Sequence, residues 1–492
     1  MILNELLNNI IKYSKNNAFC IDEKFYTYEQ LLNRINAIRA IISSNITEDN
    51  KNVSIITNDN LDTYASIIAL WLEGKTYVPL LNYAPEDRNS QVIKQANVNY
   101  VLTSKPFHQN LPAKILVTSE QDDIIETTPI KNEDESLNAY ILFTSGSTGQ
   151  PKGVPITLSC ISSLIKAVED AGDNINENDR VLQMFDLTFD LSVISYLHPL
   201  LRGACVYTIP EGEIKNLYIM DLMEFHQLTV MLMVPSIIIL LKPHYKNIVG
   251  DSVRICSFCG EALPLDVTNE WRKCVPNARI RNYYGPTEDT VYCTYYDIDD
   301  THQKNYNGAV CIGAPLNSGS YIIINSDNQE VSIGEKGELC LAGNQLTQGY
   351  WNNPEKNKEA FFILNGIRYY RTGDLCYTDE DGDIQYIGRL DFQTKINGFR
   401  IELSEIEHYA SEALNNEKTC ICVAFTNKIN TTEIGLVINS QTPINTDVVL
   451  TYIANHLPSY EVPTQVKIIK ELPLNVNGKI DRKQIKLLFE EC

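Results

Sequence analysis

A run of small hydroxyl residues and glycines, closed by a lysine, follows a hydrophobic segment near residue 140. The string reads Tyr140-Ile-Leu-Phe-Thr144-Ser145-Gly146-Ser147-Thr148-Gly149-Gln-Pro-Lys152-Gly153. Glycines let the backbone fold so that several N–H groups point at one anion, and hydroxyl groups add further donors. Lys152 adds positive charge. The string therefore predicts a phosphate-binding loop, although its spacing differs from the P-loop pattern G-x4-G-K-[ST].

This string resembles the phosphate-binding signature of the acyl-adenylate-forming superfamily. Further matches follow in the order that family shows, over nearly the whole chain: Phe25-Tyr-Thr-Tyr28-Glu29, Leu70-Trp-Leu-Glu-Gly74-Lys-Thr-Tyr77-Val78-Pro79, Asn282-Tyr-Tyr284-Gly285-Pro286-Thr287-Glu288, Tyr370-Arg371-Thr372-Gly373-Asp374, Gly388-Arg389-Leu390-Asp391-Phe-Gln393-Thr-Lys395-Ile-Asn-Gly398 and Asn477-Gly478-Lys479-Ile480-Asp481-Arg482. The resemblance implies an enzyme that uses ATP and Mg²⁺ to activate a carboxylic acid as its acyl-adenylate.

Attack of a carboxylate on the α-phosphate builds up charge there, so cations and donors must already be in position. The resemblance assigns the catalytic roles to Lys479, Glu288 and Thr144, and the last two supply oxygen ligands suited to Mg²⁺. Asp374 can accept from both ribose hydroxyls, and Tyr284 offers a flat face to adenine. The remaining expected ATP contacts are Ser145, Gly146, Ser147, Thr148, Gly149, Lys152, Asn282, Gly285, Thr287 and Arg389.

The class of acid depends on Asp190, in Phe189-Asp190-Leu191-Ser192-Val193. By resemblance, an aspartate here binds the ammonium of an amino acid, whereas a fatty acid would leave the buried carboxylate unpaired. Phe185-Asp186 is a competing register; Asp190 is preferred because Leu-Ser-Val follows it. By matching position, the rest of the pocket comprises Leu191, Ile194, Leu232, Ser257, Cys259, Tyr283, Val291 and Tyr292.

Two strings, Phe258-Cys259-Gly260-Glu261-Ala262-Leu263-Pro264 and Arg389-Leu-Asp-Phe-Gln393, resemble D-alanine–carrier-protein ligases. That resemblance favours D-alanine, with Cys259 against the substrate methyl group. Tyr283 and Tyr292 stand where smaller residues are expected, so another small amino acid is the alternative. Two other functions remain open: an acyl-CoA synthetase acting on an acid without an amine, and an inactive member that serves as a binding protein.

We expect a separate carrier protein, acting in trans, to accept the acyl group on its phosphopantetheine thiol, because no carrier-protein serine motif follows Lys479. Carrier proteins are commonly acidic, and Lys395 and Arg400 are candidates for a local basic docking patch. The formal net charge of −21 argues against nucleic-acid binding.

Apolar runs of strand length alternate with helical patterns up to residue 390, which predicts an α/β domain of layered sheets with flanking helices. Short strands mixed with helices follow, as in a small α+β lid domain. We therefore predict a large domain over residues 1–390 and a small mobile domain over 391–492. The resemblance makes Asp391 the hinge between them.

The N-terminal segment lacks the basic region and the cleavage site of a signal peptide. The longest apolar run, Val230 to Leu241, is too short to cross a bilayer. The 13 cysteines are irregularly spaced, as in a reduced protein. These features predict a cytoplasmic protein without membrane insertion.

Overall fold

The computed structural model describes residues 1–146, 150–391, 393–474 and 480–490. Its largest element is a nine-stranded sheet whose inner strands are parallel. The spatial order of its strands is Ala314–Pro315, Thr294–Ile298, Arg279–Tyr284, Ile255–Phe258, Val230–Met233, Arg180–Gln183, Cys205–Thr208, Asn17–Ile21 and Lys24–Thr27.

A six-stranded sheet packs beside it and carries the predicted phosphate loop at one edge. Its strands are parallel except for the last pair. All but the last residue of Asn52–Thr57 are buried, as expected for a strand covered on both faces. In spatial order the strands are Lys114–Val117, Tyr100–Thr103, Asn52–Thr57, Thr76–Leu81, Asn138–Thr144 and Lys152–Thr157.

Helices cover both large sheets and enclose one extended apolar core. Local signals set their ends: the Asn60 side chain accepts from Thr63 N at the start of one helix, and Gly74, at φ +67°, follows its end. The helices before residue 400 are Ile2–Lys12, Tyr28–Asn45, Leu61–Leu72, Glu86–Gln95, Leu158–Asp170, Asp190–Arg202, Lys215–His226, Pro235–Leu241, Leu265–Trp271 and Pro354–Ala360, with 3₁₀ turns at Thr118–Glu120, Lys242–Asn247 and Thr287–Asp289.

A five-stranded antiparallel sheet follows, beside a short two-stranded pair, Asn305–Tyr306 with Ala309–Val310. It brings Asp374 and Arg389 together, since these two residues face each other across neighbouring strands. Its strands are Gly319–Ile324, Gly337–Gly343, Phe361–Leu364, Ile367–Thr378 and Ile384–Arg389.

The last part of the described chain contains a hairpin and a separate three-stranded sheet with its own apolar clusters on both faces. Its elements are the hairpin Gln393–Ile396 and Phe399–Glu402, the strands Cys420–Thr426, Thr432–Asn439 and Gln465–Ile469, the helices Leu403–Glu412, Thr446–His456 and Arg482–Glu490, and a 3₁₀ turn at Ser459–Glu461. With the α/β layers before it, this α+β unit confirms the predicted fold class. In the described part of the chain, no helix is both long and apolar enough to traverse a bilayer.

Candidate active site

The predicted phosphate loop joins two antiparallel strands, and the register pairs Thr144 with Lys152 at its base. A Cβ on Gly146 would lie 1.9 Å from the Gln150 carbonyl oxygen, so the turn admits only glycine there. The Thr144 hydroxyl is directed back to the Lys152 carbonyl oxygen, at 3.5 Å. The predicted ATP contacts Ser147, Thr148 and Gly149 lie outside the described residues.

The donors of this loop are engaged by the hairpin and by the helix Leu403–Glu412. Gly146 N–H donates to Glu405 Oε2 at 3.0 Å, and the Ser145 hydroxyl donates to the carbonyl of Arg400 at 2.8 Å. Lys152 Nζ lies 3.3 Å from Glu402 Oε1. Carboxylates therefore approach the groups that were predicted to bind phosphate oxygens.

Glu288, the predicted metal ligand, is fully buried and ion-paired. Arg400 Nη1 lies 2.9 and 2.7 Å from its two carboxylate oxygens, and the Tyr350 hydroxyl donates to Oε1 at 2.7 Å. Burial alone would raise the pKa of Glu288, but Arg400, Tyr350 and Lys152 together lower it to about 2. Arg400 is thus an internal partner of Glu288, and the expectation that it forms part of an exposed docking patch is wrong.

Three residues that are predicted to bind the nucleotide, Tyr284, Asp374 and Arg389, lie in contact. Asp374 accepts from the Tyr284 hydroxyl and, at 3.0 Å, from Arg389 Nη1. The other edge of the Arg389 guanidinium binds Asp391, with Nε 2.8 Å from Oδ1. Nearby, Asn282 Nδ2 donates to the Cys311 carbonyl at 3.0 Å, while its buried Oδ1 has no partner among the described residues.

These residues line a cavity of about 460 Å³, which is within the range of small-molecule sites. The carboxyl ends of neighbouring parallel strands form much of its wall, which is where open α/β sheets bind ligands. The predicted site residues in its lining are Thr144, Ser145, Asp190, Leu191, Cys259, Asn282, Tyr283, Tyr284, Gly285, Thr287, Val291, Asp374 and Arg389.

Asp190 begins the helix Asp190–Arg202 and is buried in this lining. Burial raises the pKa of Asp190 to about 6, although a hydrogen bond with Thr287 and the charge of Lys395 act in the opposite direction. The competing residue, Asp186, does not line the cavity; it lies 3.7 Å from Lys215 Nζ. Of the two registers, only Asp190 provides a carboxylate inside the site.

The remaining predicted pocket residues line a second, smaller cavity of about 40 Å³. They are Ile194, Leu232, Ser257 and Tyr292. The sequence grouped all nine pocket residues around one substrate, whereas the tertiary structure distributes them between two spaces.

The sequence did not indicate the contribution of Glu402, Glu405 and Arg88. Arg88 forms a buried ion pair with Glu405, at 2.8 Å between Nη1 and Oε1. Charged residues alternate with apolar ones in Phe399-Arg-Ile-Glu-Leu-Ser-Glu, but that pattern is equally typical of an exposed helix start. Lys479 lies outside the described residues.

Comparison with known proteins decides the family. The model of the family described as "AMP-binding enzyme" matches residues 9–351. The chain belongs to this family. It is an adenylation enzyme, and members of its kind use ATP.

Curated relatives of this family member include whole ligases and parts of larger synthetases. The D-alanine–D-alanyl carrier protein ligase of Bacillus anthracis is 30% identical over 96% of this chain and 96% of its own length. Gramicidin S synthase 1 of Brevibacillus brevis is 30% identical over 97% of this chain, which spans only 43% of that synthase.

Among solved structures, the Vibrio cholerae adenylation domain AlmE, in complex with glycyl-adenosine-5'-phosphate, is 26% identical. The likeness covers 99% of this chain and 97% of AlmE, with a TM-score of 0.86. The family member described here therefore shares its fold with a protein that holds an aminoacyl-adenylate.

Proposed function

We propose that this enzyme activates a small amino acid as its aminoacyl-AMP, releases pyrophosphate and transfers the acyl group to a separate carrier protein. The observation that carries the proposal is Asp190, a buried carboxylate in the lining of the large cavity. An amine-bearing substrate would pair this charge, whereas a plain carboxylic acid would leave it buried and unpaired.

D-alanine is the first candidate, and glycine is the second. Support for D-alanine comes from the carrier protein ligases of similar length and from Cys259, a buried residue of the cavity lining. Burial raises the pKa of the Cys259 thiol to about 12, so it stays neutral and suits an apolar contact with a methyl group. Support for glycine comes from the ligand of AlmE.

The nucleotide would lie across Tyr284, Asp374 and Arg389. Asp374 would exchange its hydrogen bond from the Tyr284 hydroxyl for the ribose hydroxyls, and Arg389 would hold it in place. The unpartnered Oδ1 of Asn282 is suited to accept from the adenine amino group. These features support ATP as the second substrate.

Mg²⁺ fits the donor set of Glu288 and Thr144, because both offer oxygen atoms. When bound, it would offset charge on the phosphate oxygens. In the observed arrangement Arg400 donates to both carboxylate oxygens of Glu288. Arg400 must therefore withdraw before Glu288 can hold a cation.

This requirement motivates a second arrangement in which the domain 391–492 has turned about Asp391 and brings Lys479 to the α-phosphate. Ile480, the residue after Lys479 in the sequence, packs with Ile485 and Phe489. That cluster lies on the face of the three-stranded sheet opposite to the face covered by the helix Leu403–Glu412. We expect a rotation of the domain to turn this face toward the nucleotide.

The carrier would approach in an arrangement that draws Lys479 away from the α-phosphate. The large cavity continues between Leu80, Phe399 and Tyr460, at the boundary of the two parts of the chain. The aliphatic and aromatic side chains that line this part of the cavity are suited to contact a phosphopantetheine chain. Thioester formation would then follow adenylation without release of the intermediate.

The decisive test is ATP–pyrophosphate exchange with D- and L-amino acids, glycine, acetate and octanoate. We expect exchange with one small amino acid and none with the plain acids. Asp190→Asn should lower exchange roughly a hundredfold or more, because it removes the charge that pairs with the ammonium. Exchange driven by octanoate, or full activity of Asp190→Asn, would refute the proposal; Asp186→Asn is the matched control.

A further inference from the structure

Three charged side chains are buried close together at the boundary between the two parts of the chain. Arg88 belongs to the helix Glu86–Gln95, whereas Glu405 and Glu461 belong to the part of the chain after residue 391. Their exposed fractions are 8%, 0% and 1%, respectively. These three residues are called the Arg88 cluster below. The cluster holds two acidic groups and one basic group away from water.

Arg88 and Glu405 form the close pair of this cluster. Arg88 Nη1 lies 2.8 Å from Glu405 Oε1, and Glu405 Oε2 accepts from the N–H of Gly146 at 3.0 Å. Glu461 interacts with both through its charge, but its buried Oε2 has no hydrogen-bond partner among the described residues. The guanidinium therefore neutralises Glu405, and the carboxyl group of Glu461 is the one with an unsatisfied oxygen.

The neighbouring groups do not neutralise Glu461. Glu402, a further carboxylate that acts on it, is bound by Lys152 Nζ at 3.3 Å and by Gln393 Nε2 at 2.9 Å. Burial raises the pKa of the adjacent Tyr460 hydroxyl well above its ordinary value of 10, so this hydroxyl stays neutral. With all carboxylates ionised, the Arg88 cluster and the Lys152–Glu402 pair together hold one negative charge in excess.

An excess negative charge that is buried favours the binding of a proton. Burial is the main cause that raises the pKa of Glu461, Glu405 adds to it, and Arg88 acts in the opposite direction; the resulting pKa is about 8. Rotation of the domain 391–492 would separate Glu461 from Arg88 and open its surroundings to water, so its pKa should return toward 4.5. Between these two values, forming the present arrangement takes up a proton.

We propose that Glu461 is a proton-dependent switch of the domain arrangement: its carboxyl group is protonated in the arrangement seen here and releases the proton to solvent when the domain 391–492 turns away. Lower pH then favours the present arrangement. Higher pH favours the arrangement in which MgATP can reach the phosphate loop. The inference rests on the domain rotation in the proposed function and adds a regulator to it.

Spin-label distances test this switch. Labels at Asp122→Cys and Glu417→Cys, two exposed positions, report the arrangement in a Cys492→Ser background. The measured quantity is the concentration of a non-hydrolysable ATP analogue, with saturating Mg²⁺, that moves half of the molecules to a second distance. Because the analogue must displace the present arrangement, this midpoint should fall roughly tenfold from pH 6.5 to pH 8.5.

Two neutral replacements separate the switch from other effects of pH. Glu461→Gln has the shape of the protonated side chain and should remove most of the change in the midpoint between the two pH values. Glu461→Met, a second neutral side chain, should do the same. Glu471→Gln, at an exposed position of the same part of the chain, is the matched control and should keep the tenfold change. Urea unfolding shows whether each variant is folded.

The outcomes distinguish this inference from the proposed function. A midpoint that is equal at both pH values in the unsubstituted enzyme would overturn the inference alone, as would an undiminished change in folded Glu461→Gln and Glu461→Met. A distance that the ATP analogue never changes would overturn both the switch and the rotation. An enzyme that shows the switch but exchanges pyrophosphate with no amino acid would overturn only the proposed activity.

Discussion

At the scale of single residues, burial determines the behaviour of the site. Asp190 and Glu288 are both buried carboxylates, but their pKa values move in opposite directions, to about 6 and about 2. Glu288 has a guanidinium within 3 Å, whereas at Asp190 a hydrogen bond with Thr287, the charge of Lys395 and a hydrogen bond with the Leu191 backbone offset burial only in part. Of these two carboxylates, Asp190 is therefore the one without a close cationic partner among the residues that the structure describes, which is consistent with the proposed ammonium site.

This difference predicts how amino-acid binding depends on pH. Only ionised Asp190 attracts an ammonium, and its pKa is about 6 in the free enzyme. The KM for the amino acid should therefore rise as the pH falls through 6, while the KM for ATP changes less. Exchange kinetics between pH 5 and 8 measure this profile. A KM for the amino acid that stays flat down to pH 5 would contradict the assignment.

The same shift predicts a change in stability. A carboxyl group whose pKa is raised from 3.8 to about 6 favours folding most below pH 3.8, and this contribution is lost as the pH rises through 6. Above that pH, ionised Asp190 costs about 3 kcal/mol. Asp190→Asn should thus be more stable than the wild type at pH 8, and the gain should shrink at pH 4. Urea unfolding at both pH values measures the difference.

At the scale of elements, the hairpin Gln393–Glu402 and the helix Leu403–Glu412 bring charges that stand where ATP and a cation are expected. Glu402 and Glu405 approach Lys152 and the N–H of Gly146, and Arg400 pairs with Glu288. Negative groups meet the phosphate loop, and a positive group meets the proposed metal ligand. We therefore expect the observed arrangement to compete with bound MgATP.

Weakening one of these contacts should favour ATP. Glu405→Gln removes the charge that pairs with Arg88 Nη1 and weakens the acceptor of the Gly146 N–H, which destabilises this arrangement although Glu461 remains near Arg88. We expect a lower KM for ATP, undiminished exchange and slower transfer to the carrier. Arg88→Met combined with Glu405→Gln should partly restore transfer. Glu29→Gln, in an exposed pair with Lys15, is the control; equal effects of both substitutions would contradict the competition.

At the scale of the whole molecule, the two parts of the chain meet through charges that ligands can displace. The contacts Arg400–Glu288 and Arg88–Glu405 join residues more than one hundred positions apart in sequence. Pyrophosphate release would return these carboxylates and guanidinium groups to their partners. The domain arrangement is thus expected to depend on which phosphate-bearing ligand is bound.

A distance measurement tests this dependence. The twelve cysteines described by the structure are all buried, so spin labels can be directed to Asp122→Cys and Glu417→Cys in a Cys492→Ser background. A non-hydrolysable ATP analogue with Mg²⁺ should add a second distance population, whereas AMP alone should preserve the distance of the present arrangement. A single unchanged distance with saturating MgATP would rule out rotation of the domain 391–492.

The sequence by itself determined the family and the α/β layers and located the residues expected at the nucleotide, because those depend on short strings whose members are close in the chain. Phosphate loops and strand ends are local structures, and the helix and strand patterns around them are readable from apolar spacing.

Tertiary structure alone decided the partition of the pocket and the partners of the charged residues. Tyr283 meets Asp173 across 110 positions, and Gly146 meets Glu405 across 259. Whether pocket residues surround one space or two, or an arginine lies at the surface or against a buried carboxylate, depends on the approach of distant segments. No local pattern carries that information, since packing and charge pairing are properties of the folded chain.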